Sequence, residues 1–454
     1  MSVTGLVAPR LRRVRLAELS AEERRAIVAR ASTATPDLRE RVRAIVHQVR
    51  VGGDSAVREL NRTYGGGLPW EDWRPPSLHI PRRELIAARD ALPRALRAGL
   101  EAMAANIERF HAVQVPPSEQ WVEVAPGIRV GRVWRGLRRV ACYVPGGTAP
   151  LPSSLLMSAI PAHLAGVREL VVATPSGRDG TVAPVILGAA GLMDVDELYV
   201  MGGAQAIAAL AYGTETVRPV DRIVGPGSAW VTEAKLQVMD RVGIDMPAGP
   251  TEVMVVADAT ADPVHVAADL ISESEHGPDS PVVLVVTDPG MGDAVQAEIE
   301  RQVPALGRQD EIRTALSRGW LVETADLAEA LGFADEYAPE HLSLAVADPA
   351  AAARAIRSAG CVFLGDFSPE AAGDYASGTN HTLPTLGLAR AYGALSVETF
   401  GRWMQLNDLT RDGLASIRGS IGIVADAEGL SAHRRAVDIR FDRPVDPTIP
   451  EDRP

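Results

Sequence analysis

The chain has 454 residues, of which 46% are hydrophobic, and its formal net charge is -12. A chain of this length can build about three domains, whereas its acidic balance argues against a nucleic-acid partner, because phosphate backbones are bound by dense patches of arginine and lysine. The one lysine, Lys235, follows an alanine, so the sequence has no Gly-Lys-Ser/Thr phosphate loop, and ATPase or pyridoxal-phosphate chemistry is not expected.

The N-terminal region has no pattern typical of a secretion or membrane signal. Arg12, Arg13 and Arg15 are followed by glutamates rather than by an apolar core, and no run of about 18 apolar residues occurs elsewhere. Two lone cysteines, Cys142 and Cys361, lie in apolar strand-like runs, which is typical of reduced thiols rather than of a disulfide framework. We therefore expect a cytoplasmic protein with no membrane partner.

The first elements in chain order are helical. From Leu16 to Gln114 apolar residues recur at helical spacing, with amphipathic runs at Leu38–Val51 and Leu96–His111 and a break rich in glycine, proline and tryptophan at Gly65–Pro76. We interpret this region as a scaffold.

Short β-branched runs then alternate with helical segments. The predicted strands are Leu170–Thr174, Leu198–Met201, Arg222–Val224, Val253–Ala257, Val282–Val286, His341–Val346 and Cys361–Leu364. Because strands that alternate with helices form parallel sheets, the pattern predicts an α/β fold. After about Arg390 the pattern indicates helices again as far as His433, and a proline-rich tail begins at Pro444.

One predicted helix has clear boundaries and carries two candidate metal ligands. It begins at Asp262-Pro263, an N-cap followed by proline, and stops at Gly277-Pro278. Glu273 and His276 are three residues apart and share a face of the last turn, where a carboxylate and an imidazole can ligate one metal ion. The same spacing also fits a solvated helix end, and a metal would need further ligands from distant parts of the chain.

Two other segments carry candidate site residues, one on a predicted loop and one at the start of a predicted strand. Asp374 is on a glycine-punctuated loop that ends at His381, where binding groups are often carried, although an aspartate there can also cap its own turn. Glu340-His341 opens a predicted strand. Its imidazole suits general-base work on an alcohol and its carboxylate could activate water, but such pairs are common at strand ends.

Two glycine-containing segments follow strands and open helices, Gly202-Gly203-Ala204-Gln205 and Gly225-Pro226-Gly227-Ser228. Glycine allows a phosphate to approach the N-terminus of a helix closely. Neither segment has the complete Gly-x-Gly-x-x-Gly fingerprint, so a dinucleotide site and an ordinary strand-to-helix turn both remain open.

Taken together, these segments resemble the histidinol dehydrogenase family. The matching stretches, in the family's order, are Tyr143–Gly147, Gly202–Leu210, Val224–Gly227, Ile244–Pro250, Glu275–Ser280, Ala338–Leu342, Gly373–His381 and Ala427–His433. Before Tyr143 the likeness is one of layout more than of motif.

The resemblance implies an α/β fold and a domain division. It implies an intertwined homodimer with two incomplete Rossmann-like domains, each with a parallel sheet, and smaller helical extensions at the two ends of the chain. The implied divisions are residues 1–38 for the N-terminal extension, 39–142 with 253–393 for a first domain that carries the metal and catalytic residues, 143–252 for a second domain on the NAD side, and 394–454 for a C-terminal tail that reaches the partner subunit.

The resemblance also implies the residues of the site. One Zn²⁺ ion per subunit would be held by Glu273, His276 and Asp374, with His433 donated by the other subunit. The implied NAD contacts are Tyr143, Gln205 and Ser228. The implied substrate contacts are Thr251, Glu273, His276, His341, Asp374, Glu428 and His433.

The reaction implied by the resemblance is a four-electron oxidation linked to NAD, from L-histidinol through L-histidinaldehyde to L-histidine, the last steps of histidine biosynthesis. His341 would take the hydroxyl proton and later assist oxidation of the hydrated aldehyde, and Glu340 would activate the water. Zinc would hold the amino and imidazole nitrogens of the substrate in register.

Three implied site positions depart from the family's usual residues. The family usually has glutamine where this chain has Glu273, asparagine where it has Ser228, and serine where it has Thr251. Two alternatives therefore stay open: a paralogue that oxidises another small amino alcohol or a sulfonated diol to its carboxylate, and a metal-binding relative without catalysis. The retained Glu428 and His433 favour histidinol as the substrate.

Overall fold

The structure of the chain is a computed structural model, which describes residues 9–30, 35–64, 77–146, 149–177 and 180–442. These residues form two compact units. The large unit falls within residues 1–115 and 137–400, and the small unit falls within 116–136 and 401–454. The predicted break at Gly65–Pro76 and the predicted tail from Pro444 lie outside the described residues.

The strands and helices alternate along most of the described chain. The strands are β1 (Arg12–Arg15), β2 (His79–Pro81), β3 (Glu119–Ala125), β4 (Ile128–Gly136), β5 (Arg139–Tyr143), β6 (Glu169–Thr174), β7 (Glu197–Val200), β8 (Arg222–Val224), β9 (Gly243–Ile244), β10 (Val253–Ala257), β11 (Val282–Val286), β12 (Trp320–Glu323), β13 (His341–Ala345), β14 (Cys361–Leu364) and β15 (Gly401–Leu409). The helices are α1 (Ala21–Ala29), α2 (Pro36–Tyr64), α3 (Arg82–Asp90), α4 (Arg94–Ala112), α5 (Pro152–Leu164), α6 (Pro184–Leu192), α7 (Gly203–Tyr212), α8 (Ala229–Gln237), α9 (Pro263–Ser274), α10 (Pro289–Gln302), α11 (Gln309–Arg318), α12 (Leu327–Tyr337), α13 (Pro349–Ala353), α14 (Glu370–Tyr375), α15 (Arg411–Ala427) and α16 (Ser431–Asp438). None of these helices is both long enough and apolar enough to cross a membrane.

The predicted strands are confirmed. Each one is present, and each begins and ends within about one residue of its predicted bounds. They were visible in the sequence because the strands of a parallel sheet are covered on both faces and are therefore continuously apolar. All residues of β10 and β11, for example, are buried.

Sheet I contains the strands in the order β2-β7-β6-β5-β8-β9. The neighbouring pairs are parallel except β2 with β7, which is antiparallel. The chain adds β6 and β7 on one side of β5 and then adds β8 and β9 on the other side. The carboxyl ends of β5 and β8 therefore flank a topological switch point, the place where open α/β sheets bind ligands.

Sheet II contains the strands in the order β1-β12-β11-β10-β13-β14, and all neighbouring pairs are parallel. Several of its helices begin where an aspartate side chain accepts a backbone N–H bond from the first turn, as at the predicted N-cap Asp262 of α9. Alternate residues of β10 face opposite sides: Val253 and Val255 pack in one core cluster, and Met254 and Val256 pack in another.

The scaffold region packs against a different sheet from the one predicted. The predicted division of the chain placed residues 39–142 in the domain of sheet II. In the structure, α2 packs against α7 and α8 in the core of sheet I, and β5 is a central strand of that sheet. The periodicity of α2 marks its apolar face but does not specify which sheet that face covers, because the covering contacts are distant in sequence.

The small unit contains an antiparallel sheet of order β15-β4-β3 together with α15 and α16. The prediction of helices alone between Arg390 and His433 is wrong over residues 401–409, where β15 pairs with β4 along its whole length. Most of β15 is polar and partly exposed, so it lacks the buried apolar run that revealed the other strands. Its pairing with β4 decides its conformation.

Candidate active site

A cavity of about 420 Å³ lies in the large unit, between the carboxyl edge of sheet I and the amino edge of sheet II. Sheet I contributes the loops that follow β5 and β8. Sheet II contributes the residues that precede β10, the end of α9 and the start of β13. Its lining includes residues 226–229, 249–251, 276–280, 340–341, 374–375, 381–383 and 385.

The end of α9 brings Glu273 and His276 to this edge of sheet II. Because α9 follows β10 and runs back along the sheet, its C-terminal end returns to the amino edge. The helix ends at Ser274, earlier than predicted, so Glu273 lies in its last turn and His276 lies in the turn beyond it. Glu273 is buried, whereas the His276 side chain is 43% exposed and lines the cavity.

Glu340 and His341 lie where β13 begins, beside Thr251 and Glu252 at the start of β10. The Glu252 backbone N–H donates to Oε2 of Glu340 at 2.9 Å, and the Thr251 hydroxyl also bonds that carboxylate. The Glu252 carbonyl lies 3.2 Å from Nδ1 of His341. Because a carbonyl only accepts, Nδ1 carries the proton there and Nε2 keeps its lone pair.

Asp374, in α14, lies among three imidazoles. Its carboxylate oxygens are 3.8 Å from Nε2 of His276, 3.8 Å from Nε2 of His341 and 3.9 Å from Nδ1 of His381. Burial raises the pKa of Asp374, but the interaction with His276 and the charges of the other imidazoles outweigh burial and hold the pKa below its ordinary value. The same interaction raises the pKa of His276.

Glu370, at the start of α14, was missed by the sequence reasoning. It is completely buried, as is Glu273, and none of the four carboxylate oxygens of these two residues has a hydrogen-bond partner. A signal was available, because Glu370 precedes Asp374 by four residues, which places both carboxylates on one face of a short helix. Burial and the neighbouring Glu273 raise the pKa of Glu370 well above its ordinary value.

Glu370 links the predicted metal ligands to the predicted base. Two groups of three side chains each place one ligand atom per residue within 4.8 Å of one another. These groups are Glu273, His341 and Glu370, and His276, Glu370 and Asp374. Buried carboxylates without donors require a compensating cation or proton, and a set of carboxylates and imidazoles is the donor chemistry that Zn²⁺ takes.

The predicted NAD residues lie at the carboxyl edge of sheet I. The Gly203 backbone N–H donates to the hydroxyl of Tyr143 at 3.1 Å, and the buried side chain of Gln205 donates to Asn61 at 3.1 Å. Ser228 precedes α8, makes no cap bond with its side chain, and lines the cavity. The structure therefore brings the loops after β5 and β8 and the start of α7 to one edge of sheet I.

The turn after β8 requires glycine at Gly225. Its φ is 112°, and a Cβ atom there would lie 2.2 Å from the carbonyl oxygen of Tyr143. The turn is held by a buried ion pair: Lys235 donates to the Gly225 carbonyl at 3.0 Å, and Asp245 accepts the Gly225 N–H at 2.7 Å. This geometry fixes the N-terminus of α8 beside the cavity.

Glu428 and His433, the remaining predicted site residues, belong to the small unit. Glu428 follows the last residue of α15 and His433 lies in α16, and both are exposed. The residues that line the cavity all belong to the large unit. These two residues are therefore accessible within the described chain.

Comparison with known proteins gives a consistent result. The sequence model of a family described as histidinol dehydrogenase matches residues 28–441. A protein named histidinol dehydrogenase from Vibrio parahaemolyticus is 42% identical over 429 residues, which are 94% of this chain and 97% of that protein. One from Xanthomonas euvesicatoria is 45% identical over 412 residues, 90% of this chain and 94% of that protein. A crystal structure of the protein of that name from Elizabethkingia anophelis is 36% identical, with a TM-score of 0.88 and coverage of 96% of this chain and 98% of that one.

Proposed function

We infer that this chain, which belongs to the histidinol dehydrogenase family, oxidises L-histidinol through L-histidinaldehyde to L-histidine, the last steps of histidine biosynthesis. The observation that carries the inference is the position of His341 and Glu340 at the cavity, beside the imidazole and carboxylate groups of sheet II and opposite the glycine turns of sheet I. The reaction removes four electrons as two hydrides, so it needs a base for an alcohol, a group that activates water and a site for NAD.

His341 acts as the base in both oxidations. Its Nδ1 donates to the carbonyl of Glu252, so Nε2 is the nitrogen that accepts the hydroxyl proton of the alcohol. As this proton leaves, the carbinol carbon loses a hydride and becomes the aldehyde carbon. Nε2 takes the hydroxyl proton of the hydrated aldehyde in the same way when the second hydride leaves.

Glu340 acts between the two oxidations. Burial raises the pKa of its carboxyl well above the ordinary value, and the neighbouring charge of Glu273 adds to that rise, so its ionised form is a stronger base than an exposed carboxylate. It takes a proton from water as the water oxygen bonds to the aldehyde carbon, while the carbonyl oxygen takes the proton that Nε2 of His341 gained in the first oxidation, so His341 is again a base. The hydrated aldehyde is then the substrate of the second oxidation.

Zn²⁺ fits the buried donor set of sheet II. We assign its ligands to Glu273, His276 and Asp374 of one subunit and to His433 of the partner subunit, and the unpartnered oxygens of Glu273 support this assignment. When bound, the metal supplies a template that orients the amino and imidazole nitrogens of the substrate.

NAD fits the carboxyl edge of sheet I. We assign its contacts to Tyr143, Gln205 and Ser228, because the carboxyl ends of β5 and β8 flank the switch point and Ser228 opens α8 beside the cavity. When bound, the cofactor supplies the acceptor for each hydride. Pro145 and Pro226 line the cavity between these loops and exclude water with their apolar rings.

The complete site is assigned to an intertwined homodimer in the cytoplasm. Glu428 and His433 are the site residues that lie in the small unit, and both are exposed within the described chain, which supports their donation to a second subunit. In this arrangement Glu428 contacts the substrate, as do Thr251 and the metal ligands.

The function is tested by measuring the NADH that purified, zinc-loaded protein forms from L-histidinol. The same measurement is made with a panel of other amino alcohols and sulfonated diols. We expect two NADH per histidinol, because the oxidation removes two hydrides. If the protein oxidised another alcohol but not histidinol, the proposed substrate would be wrong. Glu273, Ser228 and Thr251 would then mark the chain as a paralogue. No turnover of any alcohol would favour a metal-binding relative without catalysis.

A further inference from the structure

The most completely bonded charged side chain beside the site comes from the N-terminal region. Arg30 follows α1, and its side chain is 3% exposed. Its Nε and Nη2 donate to the two carboxylate oxygens of Glu252 at 2.8 Å and 2.7 Å. Its other bonds go to the carbonyls of Val28, Tyr337 and Ala338, at 2.9 Å, 2.8 Å and 3.3 Å. Each of its five N–H groups therefore has an acceptor.

The backbone of Arg30 is strained where this contact forms. Its φ is 54° and its ψ is 172°, a combination that L residues rarely adopt. Such strain persists where the surrounding contacts determine the conformation. The guanidinium carbon also lies 3.5 Å from the centre of the Tyr337 ring, so the ring packs against one face of the guanidinium plane.

Glu252 contacts both proposed catalytic residues through its backbone. Its N–H donates to the carboxylate of Glu340 at 2.9 Å, and the Glu340 N–H donates to the side chain of Glu252 at 3.3 Å. Its carbonyl accepts from the backbone N–H of His341 at 3.2 Å and lies 3.2 Å from Nδ1 of the same residue. The backbone of Glu252 therefore sets the orientation of both side chains, Glu340 through the peptide group before it and His341 through the peptide group after it.

The positive charge of Arg30 also compensates the buried carboxyl of Glu252. Glu252, Glu273 and Glu340 are all buried, and they are close enough for each charge to affect the others. Uncompensated, Glu252 would be pushed toward protonation or displacement, and the bonds of its backbone to the site would move with it. Arg30 supplies that positive charge through its two bonds to the Glu252 carboxylate.

We propose that Arg30 and Glu252 are positioning residues: their buried ion pair holds the Glu252 backbone so that His341 keeps its proton on Nδ1 and Glu340 keeps its orientation. This proposal rests on the function proposed above. It gives Arg30, which does not itself line the cavity, a role in catalysis.

The test compares Arg30→Ala, Arg30→Lys and Glu252→Gln with a matched control, Arg139→Ala. Arg139 is an equally buried arginine that bridges two glutamates in sheet I, but it begins β5 at the edge away from the cavity. We expect Arg30→Ala and Glu252→Gln to lower kcat by about 10-fold to 100-fold, the usual cost of misplaced catalytic groups, with little change in KM for histidinol or in zinc content. Arg30→Lys, or millimolar guanidinium ion added to Arg30→Ala, should restore part of kcat.

The control and a second readout separate positioning from folding. Arg139→Ala should lower the unfolding temperature without lowering kcat of the folded fraction. Nitrogen NMR of histidine-labelled protein should show the Nδ1-protonated form of His341 in the wild type and a mixture of forms in Arg30→Ala, whether or not histidinol is turned over.

A kcat in folded Arg30→Ala within about twofold of the wild type would overturn the proposal, as would an equal loss in Arg139→Ala. An unchanged imidazole spectrum in Arg30→Ala would overturn it as well. A wild type that fails to oxidise histidinol while the spectrum changes as expected would instead contradict the proposed function and leave the positioning role supported.

Discussion

At the scale of single residues, the buried carboxylates dominate the energetics of the cavity. Glu273 and Glu370 are both at 0% exposure, and their oxygens have no donor. Removing an ionised carboxylate from water costs several kcal/mol unless a cation or a proton compensates it. Burial and the neighbouring Glu273 raise the pKa of Glu370 well above its ordinary value, so Glu370 holds a proton more readily than an exposed carboxyl does, and a bound cation would take the place of that proton.

The first prediction concerns Glu273→Gln, which introduces the residue usual in the family. Without metal, the variant should be more stable than the wild type by about 1 to 2 kcal/mol, because its amide N–H can donate to the unpartnered oxygens of the neighbouring Glu370. With Zn²⁺ it should gain less stability than the wild type, because the metal loses a negative ligand. Urea unfolding with chelator and with Zn²⁺ measures both effects.

The neighbouring Glu275 provides the control, because it is exposed beyond the last turn of α9. Glu275→Gln should change neither the stability of the metal-free protein nor its gain on Zn²⁺ addition. A metal-free Glu273→Gln protein that is less stable than the wild type would contradict the interpretation of Glu273 as a buried carboxyl that lacks a donor.

The second prediction separates two of the histidines that line the cavity, His276 and His341. His341→Ala should abolish oxidation and leave the zinc content intact, because His341 is assigned as the base. His276→Ala should lose metal and activity together, because it is assigned as a ligand. Metal analysis of the purified variants and NADH formation measure the two effects. Normal turnover by His341→Ala would show that the base is another group.

At the scale of elements, the amino ends of the sheet I strands are joined by a charged cluster opposite the cavity. Arg139 at the start of β5 donates to Glu169 of β6 and to Glu197 of β7, each at 2.7 Å. Burial raises the pKa of Glu197, but hydrogen bonds from Arg139, Tyr199 and Arg218 outweigh it and lower the pKa from 4.5 to about 2. The ionised carboxylate is therefore bound more favourably in the folded chain than in the unfolded chain.

The third prediction follows from the sign of that shift. Because the folded pKa lies below the unfolded value, the stability from Glu197 is fully present above pH 4.5 and is lost as the pH falls toward 2. At pH 7, Glu197→Gln should lower the free energy of unfolding by about 2 kcal/mol, the usual range for hydrogen bonds to charged groups. Urea unfolding of both proteins from neutral to acid pH should show this difference shrinking below pH 4.5.

An ion pair with an exposed arginine provides the comparison for this prediction. Glu298 pairs with Arg301 of α10, whose side chain is 63% exposed, whereas the Arg139 partner of Glu197 is buried, so solvent screens the Glu298 pair more. Glu298→Gln should have a smaller effect than Glu197→Gln at neutral pH. A difference between the wild type and Glu197→Gln that stays constant down to acid pH would mean that the charge of Glu197 does not stabilise the fold.

At the scale of the whole molecule, the site combines opposite edges of two parallel sheets. The carboxyl edge of sheet I presents turns and helix N-termini, which suit an anionic cofactor. The amino edge of sheet II presents the start of β13 and the returning end of α9, which suit metal ligands and a base. Each sheet alone therefore supplies half of the proposed chemistry.

The fourth prediction tests the proposed sharing of sites between subunits. His341→Ala and His433→Ala should each inactivate the homodimer. When the two variants are coexpressed, about half of the dimers are mixed and each has one intact site, so about one quarter of wild-type activity should return. Differential tags isolate the mixed dimers, and NADH formation measures their activity. No recovery in isolated mixed dimers would contradict donation of His433 to the partner.

The sequence alone determined the local features of this protein. The short apolar runs specified the parallel strands, because burial on both faces leaves a continuous pattern in neighbouring residues. Asp262 specified where α9 begins, and the family motifs predicted which polar side chains carry the chemistry. These signals depend on contacts within a few residues, so one segment at a time reveals them.

The tertiary structure decided which of these segments meet. It placed Glu370 between Glu273 and Asp374, turned residues 401–409 into a strand by pairing them with β4, and brought Arg30 to Glu252 across 222 residues. Those contacts depend on how sheets and helices pack, and packing is set by the shapes and charges of surfaces that are distant in sequence. The pattern of one segment contains no record of its partner, so only the folded chain shows how the site is completed.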